Sequence, residues 1–235
     1  MTLRLSYFVP PAPLVVAQEL SLAGVSDLSE EVTTGSPAQL AGLLDGTIDV
    51  VVTAIDNLFE WVRAGADVRL VAQVESTTPL AIFARPDIDT IAELAGKRFG
   101  VDAFANGFAL VARCLLADAD AEVEYVEVGG VKQRLEALLA GEVDATLLGP
   151  PFDARALAAG QNQICSIQEE FSAFPGQGVI VRRELLASAD VVALLDALRR
   201  GGALNVDLAG LELLTDIRRK LGVLPEGVEL RSLVA

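Results

Sequence analysis

The chain has 235 residues, of which 52% are hydrophobic and 22% charged, with 33 acidic against 18 basic side chains and no histidine. A chain this long and apolar buries roughly 70% of the surface its unfolded form exposes, which excludes a disordered protein, and a formal charge of −15 without a basic stripe excludes nucleic acid as a partner. Without histidine there is no imidazole mechanism and no His-ligated metal, so catalysis would fall to carboxylates, Tyr, Lys or backbone groups.

From the N-terminus, short β-branched runs alternate with helical patches, the pattern of an α/β protein with mostly parallel sheets flanked by helices. Strands are expected over 3–7, 28–33, 50–53, 69–74, 80–84, 98–101, 123–128, 145–148 and 178–181, and helices over 13–22, 37–44, 57–64, 107–117, 131–140 and 152–159. From Ala189 onward the chain reads as helical, broken at Gly201-Gly202 and at Gly222. No apolar run approaches the ~18 residues of a membrane span. The first residues show no charged segment followed by a long apolar one, so no membrane insertion and no export signal are expected. A cytoplasmic chain and the mature part of an exported one both stay open. Cys114 lies in an apolar run and reads as a core residue, its pairing with Cys165 is left open, and neither belongs to a CxxC; no metal site or cofactor is expected.

Sliding the chain by 95 residues lays Gly35-Ser-Pro-Ala-Gln-Leu-Ala-Gly-Leu-Leu-Asp-Gly-Thr-Ile-Asp49 over Gly130-Val-Lys-Gln-Arg-Leu-Glu-Ala-Leu-Leu-Ala-Gly-Glu-Val-Asp144, with 6 identities in 15 positions. Composition alone would supply about one or two. Each copy reads as a helix with a leucine stripe, a glycine stop at Gly46 or Gly141, and a following strand. Asp49 and Asp144 sit at the amino ends of those strands and read as hydrogen-bond acceptors that fix the turn rather than as catalysts. Two such copies imply two lobes.

The segments Ile91-Ala-Glu-Leu-Ala-Gly-Lys-Arg-Phe-Gly-Val101, Val126-Glu-Val-Gly-Gly130, Ala137-Leu-Leu-Ala-Gly-Glu-Val-Asp-Ala145 and Gly149-Pro-Pro-Phe152 resemble the SsuA/THI5-like (NMT1-like) substrate-binding proteins of ABC transporters. The first lobe carries the companion pattern in Ser36-Pro-Ala-Gln-Leu, Gly46-Thr-Ile-Asp49 and Ala64-Gly-Ala-Asp-Val68. The resemblance implies a two-lobe, type II periplasmic-binding-protein-like fold, with lobe one from 1–88 plus 178–235 and lobe two from 89–177. It further implies a small-molecule ligand held in an interlobe cleft and an ABC transporter permease as partner.

Ligands of open α/β sheets bind beyond the carboxyl ends of strands. The residues expected there are Tyr7, Phe8, Ser36, Thr53, Asp56, Asn57, Thr77 and Thr78 from the first lobe, and Phe104, Asn106, Gly129, Gly149, Phe152 and Asp153 from the second. Ser36-Pro37 reads as an N-cap followed by the first helical residue, and Asn106-Gly107 as its counterpart. No Arg or Lys falls in these segments, Lys132 and Arg155 being the nearest, which disfavours sulfonates and phosphonates. Carboxylates with Tyr and Phe point instead to a small, neutral or cationic, partly aromatic molecule; the family-consistent choice is a pyrimidine precursor of thiamine. No catalytic residue is assigned. The competing reading is a cytosolic lyase, decarboxylase or desulfinase on the same fold; a LysR-type effector domain would need a helix-turn-helix ahead of the first strand.

Overall fold

The computed structural model describes residues 2–105 and 107–235. The chain divides into two units: residues 1–76, 175–212 and 225–235 form the first, and 77–174 with 213–224 the second.

In the first unit β1 (Arg4–Tyr7), α1 (Ala12–Glu19), β2 (Ser29–Val32), α2 (Ser36–Asp45), β3 (Val50–Thr53), α3 (Asn57–Arg63) and β4 (Val68–Gln73) follow one another. The second unit contributes β5 (Ala81–Ala84), β6 (Arg98–Val101), α4 (Gly107–Asp118), β7 (Glu124–Glu127), α5 (Val131–Ala140), β8 (Ala145–Leu148), α6 (Phe152–Ala158), β9 (Asn162–Ser166) and α7 (Ile167–Glu170). The chain then returns to the first unit through β10 (Gly178–Arg182) and α8 (Ala189–Arg200), and α9 (Leu208–Lys220) follows. Each sheet has five strands, in the orders β2-β1-β3-β10-β4 and β7-β6-β8-β5-β9. In both, one strand runs against the other four: β10 is antiparallel to β3 and β4, and β5 to β8 and β9.

The duplication read from sequence is a duplication of structure. An offset of 95 carries α2 onto α5, β3 onto β8 and α3 onto α6, residue for residue. Gly46 and Gly141 end the paired helices at φ 77° and 72°, a left-handed conformation that a Cβ would strain. The two aspartates are likewise twins. Asp49 accepts hydrogen bonds from the Arg4 backbone N–H (3.0 Å), Arg4 Nε (2.8 Å), Arg4 Nη2 (2.6 Å) and Arg182 Nη1 (3.2 Å). Asp144 accepts the same set from Arg98 (2.9, 3.1 and 3.0 Å) and from Arg85 Nη1 (3.0 Å). Burial alone would raise the Asp49 pKa, but the hydrogen bonds and charge of Arg4, with the Arg182 charge, outweigh it and hold it below the usual carboxylate value. Arg98 does the same for Asp144. Each cluster ties the amino ends of two parallel strands to the carboxyl end of the antiparallel strand beside them.

The main core of the first unit packs Leu5 and Tyr7 of β1, Val50 and Val52 of β3, and Val179 and Val181 of β10 against Leu14 of α1 and Leu194 and Leu198 of α8. Alternation along the strands puts every second residue there, and each fully buried Val or Leu contributes about 1.5–3 kcal/mol. A second core joins Phe83 of β5 and Leu148 of β8 to Leu135 and Leu138 of α5.

Three expectations need correction. Strand β5 lies in the second sheet, although the sequence boundary placed 80–84 in lobe one: only a short turn separates it from β4, and an apolar run does not name its pairing partner. Strand β9 was not expected, because Asn162-Gln163 opens it with polar residues; it pairs only with β5, at the sheet edge. Helix α1 stops at Glu19 rather than running to Leu22, since Ser21 turns to a φ of 51°.

Candidate ligand-binding site

At the carboxyl end of β3 the first unit gathers three buried polar residues. Thr53 Oγ1 accepts a hydrogen bond from Asn57 Nδ2 at 2.9 Å, and Asp56, 2% exposed, lies between them in the turn that starts α3. Ser36 is buried at the start of α2, but it is the first helical residue and not the cap: Gly35, in extended conformation, precedes the helix and Pro37 occupies its second position. Phe8 is half-buried just beyond β1.

Tyr7 is not brought to this group. Its ring packs in the main core, and by strand alternation it lies on the opposite face of the sheet from Thr53. Its hydroxyl donates to Glu30 Oε2 at 2.7 Å, and burial together with that carboxylate pushes the phenol up to about 12. Thr77 and Thr78 belong to the second unit. There Gln168 Nε2 donates to Thr77 Oγ1 (3.4 Å) and to the Thr78 carbonyl, while Gln168 Oε1 accepts from the Leu80 N–H (3.2 Å). These threonines anchor the chain that enters β5.

In the second unit the strand-end loops carry the aromatic residues. Phe104 is 45% exposed; the Arg113 guanidinium lies 3.9 Å from its ring centre, Tyr125 meets it edge-on at 5.3 Å, and its N–H donates to Glu127 Oε1 at 2.7 Å. Phe152, half-buried, opens α6 beside the half-buried Asp153. Gly129 takes a φ of 102° just before α5. Gly149 ends β8 against the chain that leads into β5, where an added Cβ would sit 2.6 Å from the Pro79 carbonyl oxygen. Asn106 lies outside the described residues.

The sequence reading overlooked a buried cation at this end of the second sheet. Arg134 of α5 has a side chain 6% exposed; its Nε donates to the Leu147 carbonyl (3.2 Å), its Nη1 to the Gly129 carbonyl (3.5 Å), and Nη1 stands 3.8 Å from Asp102 Oδ1. Burial lowers the Arg134 pKa and raises that of Asp102, and each charge works against the shift of the other. The pair borders a cavity of about 10 Å³ that is also lined by Gly100, Phe108 and Leu147. The signal was present in the repeat. The leucine stripe puts position 134 on the inward face of α5, and the offset of 95 pairs it with Gln39, which is fully buried and donates through Nε2 to the Val52 carbonyl at 3.3 Å. Val52 and Leu147 are themselves equivalent under that offset.

Both cysteines are free thiols, Cys114 buried and Cys165 half-buried. Burial, reinforced by Glu170 and Glu169, pushes the Cys165 thiol up to about 11. Among the described residues no three His, Cys, Asp or Glu side chains are grouped as metal ligands, and no helix is long and apolar enough to cross a membrane.

The chain matches the family model described as NMT1/THI5 like over residues 14–206. Comparison with curated protein sequences returns no match. Among solved structures, the zinc-bound ligand-binding component of an ABC-type import system from Staphylococcus aureus superposes with a TM-score of 0.79 at 14% identity, covering 100% of this chain and 96% of that one. The alkanesulfonate-binding protein SsuA from Xanthomonas axonopodis pv. citri, bound to MOPS, gives 0.77 at 18% identity and covers 100% and 98%. The periplasmic nitrate-binding protein NrtA from Synechocystis PCC 6803 gives 0.73 at 15% identity and covers 92% and 65%. With two five-stranded sheets of matching order and a family match over most of its length, the chain belongs to the NMT1/THI5-like family.

Proposed function

We propose that this chain is a solute-binding protein that captures a small, neutral or cationic, partly aromatic molecule and presents it to an ABC transporter permease. A pyrimidine of the thiamine-precursor type is the favoured ligand. The observation that carries the reading is the buried Thr53, Asp56 and Asn57 group at the carboxyl end of β3, within a family-matched fold whose other strand ends carry Phe104 and Phe152. Buried polar groups supply orientation and aromatic rings supply stacking area, the combination that small-molecule sites use.

The test is a thermal-shift screen of the purified chain against thiamine precursors, nitrogen heterocycles, polyamines, aliphatic sulfonates and aromatic acids, with mass spectrometry of each hit after incubation. Stabilisation by an unchanged ligand is the expected result. Consumption of the hit would make the protein an enzyme on this fold. In the binding case Asp56→Ala and Phe152→Ala each weaken affinity about tenfold or more with the fold intact; unchanged affinity in both removes the site assignment.

A further inference from the structure

A phenyl ring on a surface loop leaves apolar area in water, and a loop that fixes one there does so against the hydrophobic effect. Phe104, in the loop between β6 and α4, is 45% exposed, yet both of its backbone groups and one face of its ring are engaged. Its N–H donates to Glu127 Oε1 at 2.7 Å, and its carbonyl accepts from Arg113 Nη1 at 3.3 Å. The Arg113 guanidinium carbon stands 3.9 Å from the ring centre. Tyr125 meets the same ring edge-on at 5.3 Å and 73°, and is itself set edge-on against the fully buried Phe99 at 6.1 Å. Glu127 and Arg113 carry opposite charges, so between them they pin the loop while adding no net charge. What they leave is an aromatic ring fixed in orientation with nearly half of the residue in water. A flat ring laid on such a surface gains stacking contact without first having to order the protein.

We infer that Phe104 is the stacking face of the second unit for an uncharged, planar aromatic ring, and that Arg113 sets its preference for such a ring over a cationic one. The guanidinium already occupies the negative quadrupole on one face of the phenyl ring. A cation on the opposite face meets a like charge across the ring, whereas a neutral heteroaromatic ring keeps its full stacking contact. An aminopyrimidine or a nicotinamide has this character. Arg113 acts through Phe104 and is a positioning residue. The inference rests on the solute-binding reading and narrows its neutral or cationic solute to a neutral one.

Isothermal titration of the full chain near neutral pH with 4-aminopyrimidine, nicotinamide, 1-methylnicotinamide and cyclohexanecarboxamide tests it, on the wild type and on Phe104→Leu, Phe104→Trp and Arg113→Gln. Nicotinamide and 1-methylnicotinamide share a ring and an amide and differ in charge; cyclohexanecarboxamide keeps the amide and lacks the flat ring. Arg113→Gln retains an N–H donor for the Phe104 carbonyl and removes the charge, and thermal midpoints of the unliganded variants report the fold. Wild type is expected to bind 4-aminopyrimidine or nicotinamide, and to hold nicotinamide at least about fivefold more tightly than either 1-methylnicotinamide or cyclohexanecarboxamide. Phe104→Leu is expected to weaken the aromatic probes at least about fivefold. Phe104→Trp is expected to keep them and to report their stacking as a change in indole emission, over a constant background from Trp61, which is 3% exposed. Arg113→Gln is expected to shrink the preference for nicotinamide over 1-methylnicotinamide at least about threefold, whereas a purely structural role would weaken both alike. Aromatic probes bound unchanged by Phe104→Leu overturn the inference, as does a preference for nicotinamide that Arg113→Gln leaves intact. If wild type ignores the aromatic probes while the wider thermal-shift panel yields a ligand, the inference falls and the solute-binding reading stands. Silence toward every probe and the whole panel removes both.

Discussion

Replacing Asp49 by asparagine removes one charge from the centre of the three-strand cluster in the first unit. The carboxylate is 1% exposed and accepts four hydrogen bonds, three from Arg4 and one from Arg182. Removing one partner of a fully buried ion pair costs about 3–5 kcal/mol. Here the arginine side chains are 39% and 23% exposed, so both guanidinium groups rehydrate when released, and asparagine keeps one acceptor for the Arg4 backbone N–H. The expected loss is therefore about 2–3 kcal/mol, or roughly 4–12 °C in Tm for a chain of this size. Urea denaturation followed by circular dichroism from pH 7 to pH 3 measures it. Because the folded pKa of Asp49 lies below the ordinary carboxylate value, its contribution is complete above that value and disappears as pH falls through the folded pKa. The gap between wild type and variant should stay constant from pH 7 to about pH 5 and close below about pH 4. A variant within about 0.5 kcal/mol of wild type at pH 7, or a gap that persists unchanged to pH 3, refutes the reasoning. If the two units melt separately, Asp49→Asn moves one transition and Asp144→Asn the other.

Gly24 and Gly65 share a φ near +95°, but a Cβ on Gly24 would lie 2.4 Å from the Ala193 backbone of α8, while one on Gly65 would meet nothing within 4 Å. Gly65→Ala should cost about 1–2 kcal/mol of conformational strain and Gly24→Ala at least about 2 kcal/mol more; equal midpoints in urea would show that α8 yields freely. Cys165 should react with a disulfide reagent at pH 8 about tenfold or more slowly in the native chain than in urea, because a thiol held near 11 forms little thiolate and its greater intrinsic nucleophilicity offsets only part of that deficit. Equal rates would contradict the burial. Tyr7→Phe should cost about 1 kcal/mol through the bond to Glu30. That contribution is complete below the phenol's ordinary value and fades as pH rises toward about 12, so ultraviolet titration of the native chain should show Tyr7 unionised at pH 10.5.

Much of this protein is written locally. The leucine stripes of α2 and α5, the glycines that stop them and the β-branched strands after them are each encoded within about fifteen residues, the range over which helical period and left-handed turn chemistry act. Repetition of that unit at an offset of 95 was enough to imply two sheets, and it placed Asp49 and Asp144 at strand amino ends in structural roles. The partner of a strand and the depth of a side chain are different kinds of property. Nothing within 80–84 says that this strand pairs with β8 and β9 rather than joining the sheet it has just left, because pairing is decided by residues some sixty to eighty positions away. Thr77 and Thr78 lie in the loop beyond β4, and the sequence around them does not show that Gln168, 91 and 90 positions away, bonds to them. Arg134 shows the limit most clearly. A lone charge on a helix is solvated by default, and only the packing of α5 over β8, with the Leu147 carbonyl accepting from Nε and the Asp102 carboxylate nearby, makes its burial tolerable.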